Sequence, residues 1–142
     1  MPAKRPLILD APYRNKFECA IAEQLDEAGV DFDYEKLKLA VAYPPRIGKY
    51  TPDFVPRKTN IIVEGKGFFY GGASDRQKLV LVKEQHPHLD IRIVFQNASK
   101  KIYKGSKTTY GKWADDHGFV WADKGRIPPT WIAEIKAQSK RK

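Results

Sequence analysis

Three consecutive β-branched residues, Ile61-Ile62-Val63, run directly into Glu64-Gly65-Lys66, and no other segment constrains the fold as tightly. A strand that is apolar on both faces has to lie within a sheet covered on both sides. Asn60 to Gly67 is therefore the predicted central strand. Upstream, Phe17, Ala20, Ile21, Leu25 and Ala28 recur at helical spacing, which predicts a helix from Asn15 to Ala28. Asn15 is its expected N-cap, Glu18 the capping-box partner and Gly29 the stop. Val30, Phe32 and Tyr34 then alternate with Asp31, Asp33 and Glu35 as a half-exposed strand. The pattern slips by one, and Leu37, Leu39, Val41 and Tyr43 predict a bulge or a second strand. Pro44-Pro45 ends it, because each ring fixes φ and restricts the residue before it. Beyond the central strand the pattern predicts a Gly71-Gly72 loop and a helix from Ser74, with Gln77 in capping-box position, to Gln85 ahead of Pro87. A strand from Asp90 to Phe95 and a short helix from Tyr110 to His117, ended by Gly118, follow; Phe54-Val55 makes a further short strand. The expected fold is α/β, a mixed central β-sheet flanked by helices.

The length of 142 residues fits one domain, and 42% hydrophobic with 12% aromatic residues is a globular composition. One cysteine, Cys19, excludes an internal disulfide framework and a Cys-rich zinc site. Leu7-Ile8-Leu9 is too short for a signal-peptide core, and no apolar run reaches the length of a membrane span, so the expectation is a cytoplasmic protein without membrane partners. Lys and Arg outnumber Asp and Glu by 26 to 17. The excess is clustered: Lys100, Lys101, Lys104, Lys107 and Lys112 occur without an acid between Gln96 and Trp113, interleaved with Tyr103 and Tyr110. Grouped cations bind a phosphate backbone through counterion release. The expected organisation is a basic N-terminal arm over 1–11, a domain over 12–135 and a basic tail over 136–142.

The chemistry concentrates in two segments. Glu64 and Lys66 are two apart on a strand and project from one face, at the end of an apolar run. Charges there are partly desolvated and need a partner or an ion. Asp53, in Tyr50-Thr51-Pro52-Asp53-Phe54, brings a second carboxylate to Glu64. With the Gly65 carbonyl they make an all-oxygen metal site, suited to Mg²⁺ or Mn²⁺ rather than zinc. Asp53, then Glu64 eleven residues on, then Lys66, is the PD-(D/E)xK pattern of divalent-metal nucleases. Glu18 on its own reads as a capping residue. His86, His88 and His117 read as helix-end residues, Cys19 as a packing residue, and Trp113, Trp121 and Trp131 as core anchors.

The order Phe17-Glu18, Phe32-Asp33-Tyr34-Glu35, Tyr50-Thr51-Pro52-Asp53-Phe54, Val63-Glu64-Gly65-Lys66-Gly67, Glu84-Gln85-His86-Pro87, Leu89-Asp90-Ile91-Arg92-Ile93-Val94-Phe95 and Tyr103-Lys104-Gly105-Ser106 resembles endonuclease I of the T-odd phages, a family of Holliday-junction resolvases. The resemblance runs from about Pro12 to Glu134. It implies a restriction-endonuclease-like fold and an active site of Glu18, Asp53, Glu64 and Lys66. Glu18 would then join Asp53, Glu64 and the Gly65 carbonyl in holding two metal ions, Mg²⁺ with Mn²⁺ as substitute. The family usually has a larger residue than Gly65 there, and a shorter loop than Phe68 to Ala73. The resemblance further implies an intertwined homodimer that exchanges strand 37–43 across a hinge over 44–49, so that Glu18 of one chain completes the site of the other. The implied substrate is branched DNA, with Arg14, Lys16, Lys104 and Lys107 as contact residues on charge and proximity to the motifs. Two other readings stand beside it: a duplex or mismatch nuclease on the same fold, and a non-catalytic basic DNA-binding protein.

Overall fold

The computed structural model describes residues 13–43, 46–67 and 72–140. Its elements, in chain order, are α1 (Lys16–Glu27), β1 (Phe32–Tyr34), β2 (Leu39–Tyr43), β3 (Arg46–Tyr50), β4 (Phe54–Pro56), β5 (Ile61–Lys66), α2 (Ala73–Gln85), β6 (Asp90–Phe95), α3 (Tyr110–Asp116), β7 (Val120–Ala122) and α4 (Pro129–Lys140). Five strands form one sheet in the order β1-β4-β5-β6-β7, with β5 at its centre as its composition requires. β1, β4 and β5 pair antiparallel, whereas β5, β6 and β7 run parallel, linked through α2 and α3. The mixed sheet with flanking helices is the predicted α/β class.

The pleat of β5 sorts the core into two layers. Ile61 and Val63 pack with Ile21, Leu25, Phe54, Trp131 and Ile135 on the α1/α4 side. Ile62 joins Ile91, Ile93 and Phe95 with Leu79 and Val82 of α2 and Trp113 of α3 on the other. α1 begins as expected: the Asn15 side chain accepts from the Glu18 amide at 2.9 Å, and Gly29 takes φ +73° just past the end. Arg92, 6% exposed, reaches from β6 to Glu134 at 2.9 Å and fastens α4 to the sheet.

Several expectations change in detail. α2 starts one residue before Ser74, its N-cap is Gly72, and the helix has no side-chain cap, so the Ser74–Gln77 capping box is not formed. The slip after Tyr34 takes the second of its two expected forms, a separate strand and not a bulge: Glu35 adopts φ +51° and ends β1, and β2 follows. β3, β7 and α4 were not anticipated, and α4 carries residues 136–140 of the expected tail as helix. Trp113 and Trp131 are buried, while Trp121 is only partly so and donates to Asp115 at 2.8 Å.

β2 and β3 pair antiparallel from Leu39↔Tyr50 to Tyr43↔Arg46 within the one chain, so residues 46–49 of the expected hinge lie in a strand. Pro44 and Pro45 lie outside the described residues, as do the arm over 1–11 and most of the Phe68 to Ala73 loop. The Gln85 side chain clamps β2 by exchanging two hydrogen bonds with the Ala42 backbone, at 2.8 and 2.9 Å. His86, the C-cap of α2, has Nε2 2.7 Å from the Ala40 carbonyl oxygen, and His117 is the C-cap of α3. Among the described residues, no helix is long and apolar enough to cross a membrane.

Candidate active site

The antiparallel pairing Phe54↔Val63 sets Asp53, the residue ahead of β4, beside Glu64 on β5. Two reciprocal hydrogen bonds lock the pair: the Gly65 amide donates to Asp53 Oδ2 at 3.0 Å, and the Asp53 amide donates to Glu64 Oε2 at 2.9 Å. Each carboxylate is thus aimed by the other residue's backbone. The Tyr50 hydroxyl donates to the same Glu64 oxygen, and Lys66 Nζ lies 3.7 Å from Glu64 Oε1. Glu64 is 2% exposed, so these donors stand where water otherwise would.

α1 delivers the third carboxylate. Glu18 lies in its first turn, on the face shared with Ile21, Ala22 and Leu25, and is buried. Its Oε1 accepts from the Tyr34 hydroxyl and, at 3.3 Å, from the Arg14 amide. Oxygens of Glu18, Glu35 and Asp53 all lie within 4.8 Å of one another. The close approach of α1 depends on Gly65, where a Cβ would sit 2.6 Å from Ile21 Cδ1.

The electrostatics follow from crowding acids in a half-closed space. Burial and then the Glu64 charge push the Asp53 carboxyl up to about 9, against the opposing pull of Lys66. Burial pulls Lys66 down, but Glu64, Asp53 and Asp75 outweigh it and its pKa ends above the usual lysine value. Burial, reinforced by Glu64, also holds the Tyr50 hydroxyl well above its ordinary value, so it stays a donor. The Asp53 carboxyl is thus raised first by burial and then by the neighbouring Glu64. Hard oxygen donors on three or four converging carboxylates fit a divalent cation such as Mg²⁺ or Mn²⁺. The site opens into a cleft of about 330 Å³ that Arg14, Glu35, Lys49, Asp75 and Lys78 also line.

Of the four sequence-derived side chains, Asp53, Glu64 and Lys66 line this cleft; Glu18, which is buried, does not line it but has a carboxylate oxygen within 4.8 Å of those of Asp53 and Glu35. Of the proposed DNA contacts, Arg14 lines it; Lys16, Lys104 and Lys107 are exposed and take no part in it. Three participants were missed. Tyr50, Tyr34 and Glu35 all stand in segments that carry the family resemblance, but neither the spaced motif nor the strand alternation gives them a role in the site. The register slip after Tyr34 was the available signal for Glu35. Cys19 is 1% exposed with its thiol pushed up by burial, a packing residue as expected.

The family model of phage endonuclease I matches residues 4–141. The chain belongs to the phage endonuclease I family. Endonuclease I of Escherichia phage T7 is 43% identical over 126 residues, which cover 89% of this chain and 82% of that protein. Endodeoxyribonuclease 1 of Enterobacteria phage T3 is 40% identical over 126 residues, covering 89% and 80%. The family resemblance read from the motif order thus holds along most of the chain.

Proposed function

We propose that this member of the phage endonuclease I family is a metal-dependent endodeoxyribonuclease that resolves four-way and other branched DNA junctions, working as an intertwined homodimer in the cytoplasm of an infected cell. The observation that carries the nuclease reading is the meeting of Asp53, Glu64 and Lys66 at one cleft, with the Glu18 carboxylate within 4.8 Å of Asp53. The names of the phage relatives and the formal net charge of +9 support DNA as the substrate. A restriction-endonuclease-like assignment fits the mixed five-stranded sheet with the site at the end of β5.

In this mechanism Asp53, Glu64, the Gly65 carbonyl and Glu18 would hold the metal. Bound divalent cations supply Lewis-acid polarisation of a phosphoryl oxygen and a lower pKa for the attacking water. The chain does the rest. Tyr50 and the Asp53 amide fix Glu64 so that its remaining oxygen faces Lys66. Lys66 keeps its proton and offsets the charge that grows on the phosphate, or orients the water. The water oxygen would bond to phosphorus in line as the bond to the 3′ oxygen breaks, the proton lost by the water passing to solvent and the 3′ oxygen taking one up from solvent.

A resolvase has to cut two strands symmetrically, which two sites in one dimer accomplish. Exchange of the segment before Pro44-Pro45 would let Glu18 of one chain serve Asp53, Glu64 and Lys66 of the other. Refolded mixtures of Glu18→Ala and Asp53→Ala chains then regain one intact site per heterodimer and nick a junction. Heterodimers without recovered nicking would rule out the shared site. For the activity itself, wild type and Lys66→Ala are incubated with a labelled four-way junction and a matched linear duplex, in Mg²⁺ and in EDTA. Paired, Mg²⁺-dependent cuts on the junction, lost in the variant, are expected. Equal cutting of both substrates would make this a duplex nuclease, and binding without cutting a non-catalytic DNA-binding protein.

A further inference from the structure

Glu35 is a residue for which the strand pattern has no use. It sits at φ +51°, a conformation that side chains other than glycine, asparagine and aspartate rarely adopt. Its amide donates to the Asp53 carbonyl at 3.2 Å, so the unusual backbone is tied to the active-site aspartate. The turn swings its carboxylate into the cleft, where it grips Arg14 with both oxygens: Nε to Oε2 at 2.9 Å and Nη2 to Oε1 at 3.2 Å. The Glu35 side chain is 21% exposed and that of Arg14 is 71% exposed. The pair therefore has an anchored partner and a presented one.

We infer that Glu35 is a positioning residue that holds the Arg14 guanidinium over the carboxylate cluster to receive the phosphate about to be cut. This rests on the junction-nuclease reading. A guanidinium has five N–H groups in one plane, and the two spent on Glu35 leave three. Arg14 also stands four residues ahead of Glu18 and donates its backbone N–H to that carboxylate, so side chain and site move together. An arginine free to rotate would lose entropy on meeting a phosphate; one clamped by a bidentate carboxylate has already lost it. The sheet accepts an unfavourable backbone at Glu35, and the gain lies in this placement.

The test is a cycle of Arg14→Ala, Glu35→Asn and the double variant of the full chain, with a labelled four-way junction. Asparagine tolerates φ +51° but is shorter and uncharged, so Glu35→Asn melts no lower than wild type. Binding by fluorescence anisotropy in EDTA is expected to weaken about tenfold for Arg14→Ala. Its salt dependence should fall by the slope of about one phosphate, ~0.9. Glu35→Asn should show a smaller loss of the same kind, and the double variant should bind no worse than Arg14→Ala alone. Losses that add in the double variant would overturn the inference. So would Glu35→Asn binding like wild type in EDTA while needing more Mg²⁺ to cut, which would make Glu35 a metal ligand instead. If wild type binds and cuts the junction, these results refute the positioning role only; if it neither binds nor cuts branched DNA, the proposed function falls as well.

Discussion

Replacing Gly65 with alanine puts a methyl group into space that α1 already fills. The added carbon would lie 2.6 Å from Ile21 Cδ1 and 3.1 Å from Phe17 Cε2, against about 3.5–4.0 Å for an unstrained carbon contact. Something has to retreat by roughly 1 Å, the difference between that range and the shorter contact. Ile21 is fully buried among Leu25, Phe54 and Val63, which crowds any rotation of its terminal methyl, so the expected response includes a shift of the helix. Overpacking of this kind costs about 1–3 kcal/mol, partly offset by the ~0.5–1 kcal/mol that glycine costs an ordered segment relative to alanine. The functional penalty is larger. Glu18 is three residues from Ile21 on the same face of α1, so a shift of the helix draws its carboxylate away from Asp53, and a misplacement of about 1 Å can cost roughly 100-fold in rate. The clashing atom is the one methyl that valine lacks. Ile21→Val alone costs about 0.5–1.5 kcal/mol, yet in the double variant it opens room for the new methyl. The assays are thermal melting and single-turnover cleavage of a four-way junction by wild type, both single variants and the pair. Gly65→Ala should melt lower and cut far more slowly, and Gly65→Ala with Ile21→Val should recover much of both. Wild-type cleavage by Gly65→Ala, or a double variant slower than the product of the singles, would refute the account of how α1 is seated.

Three more outcomes follow from the same geometry. The Asp53 carboxyl is raised from 3.8 to about 9 on folding, so its contribution to stability is present at acid pH and is lost as pH rises toward 9; Asp53→Asn, which cannot ionise, should therefore melt several degrees above wild type at pH 8 in EDTA, match it near pH 4 and cut nothing, and a variant that melts lower at pH 8 would contradict this. Tyr50→Phe removes one of the donors on a buried carboxylate, and urea unfolding at pH 8 should register a loss of about 1.5–3 kcal/mol, with slower cutting as Glu64 loosens. Lys104→Ala with Lys107→Ala changes residues exposed on the loop that follows β6, so junction affinity should fall and its salt slope flatten by up to ~0.9 per lost phosphate contact while cleavage at saturating DNA is unchanged; an unchanged slope would remove these lysines from the DNA surface.

The features legible in the sequence were those that local chemistry decides. Asn15 and Gly29 bound α1 because a capping side chain and a left-handed stop act within a turn. Ile61-Ile62-Val63 made β5 central because nothing else can cover both its faces. The elements that escaped had little local pattern. β3 has Arg46, Gly48 and Lys49 in five residues and is a strand because β2 pairs with it. β7 is three residues long with Val120 exposed, and α4 buries only Trp131 and Ile135. In the site, the carboxylates and lysine were visible as a spaced motif. Tyr50 and Glu35 were not, since their roles depend on which side chains the fold brings opposite them. A register slip can announce a break at Glu35, but it cannot tell where the carboxylate then points.

Positions 44 and 45 divide the residues of the site and those that position them. Arg14, Glu18, Tyr34 and Glu35 come before them; Tyr50, Asp53, Glu64 and Lys66 come after. Neither stretch is a nuclease by itself. During synthesis the first group emerges before β4 and β5, so a chain stopped short of β5 has neither Glu64 nor Lys66. The proposed site is therefore assembled late in synthesis, from two halves that lie on either side of positions 44 and 45.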